Sequence, residues 1–67
     1  MSETQAKLDA EIQELKRLNR EVTAAAKFWY ESRGERIEDK AKEQLMEATA
    51  ALINHEQKMI AFISNLP

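Results

Sequence analysis

One glycine decides what this chain can fold into. Gly34 is the only glycine among 67 residues, stands at the midpoint, and follows closely on Phe28-Trp29-Tyr30, which holds the only tryptophan and the only tyrosine. Apolar residues recur on both sides of it at alternating spacings of four and three, the mark of a helix with one sticky seam. The first run is Leu8, Ile12, Leu15, Val22, Ala26 and Trp29, with Asn19 at the heptad position left between Leu15 and Val22. The second is Ala41, Leu45, Ala48, Leu52, His55, Met59, Phe62 and Leu66. The two are out of phase. Extending the first past Trp29 lands on Arg33, Arg36, Lys40 and Glu43. Something must reset the seam, and a glycine that tolerates left-handed backbone at a helix end is the residue suited to do so.

The sequence therefore predicts an all-α fold of one domain over residues 1–67, an antiparallel two-helix hairpin. Helix one spans about 3–32, the turn about 33–37 and helix two about 38–65. A single uninterrupted helix is the competing shape, because Trp29, Arg33, Ile37, Ala41 and Leu45 make a rough row at four-residue spacing. Local signals mark the ends. Ser2 with Gln5 forms a capping box, and Glu3 suits the positive end of the helix dipole. Helix two has two candidate starts, Ser32 with Glu35 or a cap at Asp39. Asn65-Leu66-Pro67 closes the pattern, since proline cannot extend a helix. No Asn-Gly or Asp-Gly hairpin signal interrupts the Ala, Glu, Lys and Leu-rich composition.

The core seam reads as Leu8, Ile12, Leu15, Val22 and Trp29 against Leu45, Leu52, Met59 and Phe62. Asn19 and His55 are its polar members and the candidates for setting register. In an antiparallel hairpin His55 falls level with the Ile12–Leu15 turn, with Glu11 within reach. Helix two carries more apolar surface than the seam needs. Met46, Ile53 and Ile60 form a second row, with Ile63 between the rows, so the apolar arc covers roughly 200° of the circumference. One neighbouring helix does not cover that much. A chain this small is marginal alone, and without cysteine it has no disulfide to help. The expected answer is assembly into a four-helix bundle or coiled-coil-like oligomer. The expected partner is the chain itself, as a homodimer, or another helical protein, met by Phe28, Met46, Ile53, Ile60 and Ile63. Glu56, inside the arc, is either exposed or paired with a cation on that partner.

Chemistry is sparse. A single glycine rules out a phosphate-cradling loop, and no nucleophile stands near the lone histidine. A carboxylate-bridged metal site built on Glu-x-x-His would need Glu where Leu52 stands. The expectation is no enzyme, no cofactor, no metal and no small-molecule substrate. Net charge is -2, with six basic and six acidic residues over 1–33 and four against six over 34–67. Lys16, Arg17, Arg20 and Lys27 on the outer side of helix one offer a contact for RNA or DNA, but Asp9, Glu14, Glu21 and Glu31 interleave them. No apolar run approaches the roughly 20 residues of a membrane span. Met1-Ser2-Glu3-Thr4 has no signal-peptide character, and with the lack of cysteine this points to the cytoplasm.

In length and architecture the layout resembles small helical-hairpin proteins such as plasmid copy-number regulators, and the short helical co-chaperones of type III secretion needles. No motif of either is present, so no residue role follows. The functional expectation is a non-enzymatic interaction module, an adaptor, regulator or small chaperone, working through the apolar face of helix two. The alternatives are a helical-hairpin regulator binding RNA or DNA through helix one, and a phage or mobile-element protein that inhibits or scaffolds a host complex.

Overall fold

A computed structural model describes residues 2–66; Met1 and Pro67, the latter expected from the sequence to close the second helix, lie outside the described residues. Two helices pack side by side, α1 over Glu3–Glu31 and α2 over Glu38–Ser64. The hairpin measures 51 × 18 × 11 Å.

Each helix end shows what the local sequence supplies. At the start of α1 the Ser2 hydroxyl oxygen accepts the Gln5 backbone N–H at 3.1 Å, which satisfies one of the donors left over in a first turn. The reciprocal half of the capping box is not made. The Gln5 side-chain amide instead donates to Asp9 Oδ1, one turn further along, at 3.0 Å. At the other end Ser32 caps α1, its N–H shared between the Phe28 and Trp29 carbonyls. Gly34 thus sits one residue further out than a glycine C-cap, and acts through a turn: Glu35 N–H donates to the Ser32 carbonyl at 3.0 Å, with Gly34 at φ +84°. That is the left-handed region, where a Cβ is costly.

Neither sequence-predicted cap starts α2. Its N-cap is Ile37, which has no side chain to bond with. The first turn instead relies on acidic residues at the positive helix end, Glu38 and Asp39, and the Glu38 carboxylate reaches back to accept Gly34 N–H at 3.2 Å. One carboxylate therefore ties the turn to the helix that follows it.

The seam is thin. Leu18 and Ala41 are the buried apolar residues, and Ser32 is the buried polar one. Leu8, Ile12, Leu15, Val22 and Trp29 on α1, and Leu45, Leu52, Met59 and Phe62 on α2, are half-buried between the helices. Ala41 is wholly covered near the turn, where a methyl side chain lets the two backbones approach. At Asn19 the structure corrects the heptad reading: Asn19 is exposed and Leu18 takes the buried place in that turn. Leu18 stands three residues after Leu15 and four before Val22, so it closes the same four-three ladder with an apolar side chain. The Asn19 amide stays hydrated at no desolvation cost. The Asn19 backbone carbonyl accepts the Thr23 hydroxyl at 2.9 Å, a bond within α1.

A Cβ at Gly34 would meet nothing within 4 Å, so substitution there is a test of backbone strain alone. Gly34→Ala is expected to lower the free energy of unfolding by about 1–2 kcal/mol, and Gly34→Asn by less, as read from denaturant titration.

Candidate interaction surface

The outer side of α2 is built by spacing. Met46, Ile53 and Ile60 each directly follow a seam residue, Leu45, Leu52 or Met59, and so stand about 100° round the helix from it. Seven-residue intervals place them about 10.5 Å apart along one line. With α1 occupying the seam, the row is left outside: Met46 is 64% exposed, Ile53 48%, Ile60 64% and Ile63 53%. Glu56 is exposed in the same arc. Phe28 on α1 is 39% exposed. Two residues not assigned to the interface from the sequence join the exposed apolar set, Tyr30 and Ile37. Ile37 was legible only as part of a continuous-helix row; the turn lifts it out of that row.

The turn end carries an aromatic cluster. The Arg33 guanidinium lies 5.7 Å from the Trp29 ring centroid and 5.9 Å from that of Tyr30, within cation–π range of both. The Trp29 indole N–H is buried and finds no acceptor among the described residues. At the open end Lys7 Nζ stands 5.2 Å above the Phe62 ring. There Lys7, Glu11, Lys58, Ala61, Phe62 and Asn65 line an open cleft of about 420 Å³.

His55 is tied across the hairpin. Its Nε2–H donates to the Glu11 carbonyl at 2.9 Å, with a Glu11 carboxylate oxygen at 3.5 Å. The shorter contact is the hydrogen bond; the carboxylate adds attraction only when the imidazole is protonated. With a side chain 10% exposed, His55 places this polar contact between α2 and α1. Among the described residues no group of three or more histidine, cysteine or carboxylate side chains comes together.

The basic residues of α1 face solvent, but they are not a free cationic stripe. Lys16, Arg20 and Lys27 are exposed, whereas Arg17 is clamped between carboxylates. Its guanidinium donates to both oxygens of Glu14 and, at 2.5 Å, to Glu21. The hydrogen bonds from Arg17 hold the Glu14 carboxyl below the ordinary glutamate value, and those same bonds push the Arg17 pKa up. No helix among the described residues is long and apolar enough to cross a membrane. Compared with protein-family models, curated proteins and solved structures, the chain matches none.

Two outcomes follow from these contacts. His55→Ala is expected to lower the unfolding free energy by about 1–2 kcal/mol, through one lost hydrogen bond and the packing of a ring, in a chemical denaturation series. The Glu14–Arg17 contribution has a definite sign: a depressed carboxyl pKa stabilises above the ordinary value of about 4.3 and loses that effect as pH falls through the folded value. The stability difference between the native chain and Glu14→Gln should therefore shrink on acidification. It should also shrink in high salt, because the pair is at the surface.

Proposed function

We propose that the protein is a non-enzymatic interaction module, an adaptor or regulator of cytoplasmic type, whose α2 face is covered by a second helical chain. The observation that carries this reading is the row Met46, Ile53, Ile60 and Ile63, large apolar side chains left 48–64% exposed on one helix. Scattered exposed apolar residues are ordinary, but a contiguous row at helical spacing is the pattern of a helix-binding surface. Fully burying such a side chain contributes about 1.5–3 kcal/mol, so covering the row matters in a hairpin whose buried apolar residues, among those described, are Leu18 and Ala41. The alternative of nucleic-acid binding through α1 is weakened by the engagement of Arg17 with Glu14 and Glu21, which leaves three lysine and arginine side chains among acidic neighbours.

The reading is checked by thermal unfolding across protein concentrations, with light scattering for mass. For self-association the midpoint should rise by about 5 °C per tenfold increase in concentration, and Met46→Gln with Ile60→Gln should lower it and leave a monomer. For a different helical partner the chain alone should be only partly helical until that partner is added. A lone monomer, fully helical at micromolar concentration and melting independently of concentration, overturns the proposal.

A further inference from the structure

Resting on the proposed covering of the α2 face, the geometry also points to which chain covers it and how it lies. Met46, Ile53 and Ile60 are evenly spaced by seven, and the outer two are equally exposed at 64% each. A twofold axis through Ile53, perpendicular to α2, carries this row onto itself: Ile53 meets Ile53, and Met46 meets Ile60. Self-complementarity of that kind is what a closed symmetric pair requires. The middle of Glu38–Ser64 is residue 51, so Ile53 lies two positions from the centre and an antiparallel overlay keeps nearly the whole helix in contact.

Charge agrees with this register. Lys42 and Ser64 are each eleven residues from Ile53, so Lys42 of one copy stands level with the last turn of the other copy's α2. That turn has no basic residue of its own. A cation supplied from the second copy suits the negative end of the helix dipole, and antiparallel α2 helices oppose their dipoles. Glu56 falls level with Ala50, whose methyl leaves the carboxylate a path to water.

Area agrees as well. A globular monomer of 7.7 kDa exposes about 4,300 Å² on the usual mass scaling. This chain exposes 5389 Å². The surplus of about 1,000 Å² is of the size that one partner buries in a standard stable interface, about 800 Å². We infer that the protein forms a symmetric antiparallel homodimer, α2 on α2, centred on Ile53, and thereby a four-helix assembly.

The chain contains no cysteine, so single cysteines report position cleanly. With a short bifunctional maleimide, Ile53→Cys is expected to yield a covalent dimer. Met46→Cys alone and Ile60→Cys alone should not, because each lies about 21 Å along the axis from its own copy; mixed together they should cross-link. Ala50→Cys mixed with Glu56→Cys reads the same register with every apolar residue of the row in place, and circular dichroism checks that each variant is helical. Met46→Cys linking to itself as fast as Ile53→Cys would mean parallel helices and overturns the inference. A dimeric mass without Ile53→Cys linkage, or with the Ala50 and Glu56 pair unlinked, overturns this arrangement and leaves the proposed function standing. A monomeric mass for the native chain overturns the homodimer; helicity gained only on adding a different helical protein then keeps the function, and full helicity alone removes it too.

Discussion

Two helices touch along one line, and this protein depends on how little that line covers. Leu18 and Ala41 are buried, while the rest of the seam, from Leu8 to Trp29 and from Leu45 to Phe62, is covered on one side only. A third and fourth helix are the usual way to bury the remainder, since apolar surface at a helix–helix seam is half wasted when one flank faces water. The shape of the molecule follows from this. At 51 Å long and 11 Å in its thinnest direction, the hairpin has no depth in which a core might form.

Within that constraint, polar groups do the positioning. His55 reaches across to the Glu11 carbonyl near the open end, and Glu38 ties Gly34 to α2 at the closed end. The first crosses the hairpin, and the second joins the turn to the start of α2. On the outer face of α1 the ion pairs of Arg17 stay within one helix, so they support α1 without specifying anything across the hairpin.

Much of the architecture was legible because it rests on phase. The mismatch between the two heptad runs called for a reset, and the chain turns at Gly34 with the left-handed φ that only glycine adopts cheaply. The exposed flank of α2 was legible for the same reason, since a residue that directly follows a seam residue must face elsewhere. What escaped the sequence reading was decided by near ties. Leu18 and Asn19 compete for one turn of the seam, and strict four-three counting favoured the amide while burial favoured the hydrocarbon. The start of α2 had two good capping residues and used neither, because the Glu38 carboxylate could serve the turn from inside the helix. Tyr30 and Ile37 were left exposed by the exact angle at which the chain leaves α1, which no periodicity encodes.

The indole of Trp29 gives the hairpin its own optical gauge. It is the chain's one tryptophan, packed where the helices converge, with a guanidinium over its ring and an N–H that meets no acceptor. Any loosening at the turn therefore moves the fluorophore from a half-buried setting towards open water, and emission colour tracks closure of this end without a label.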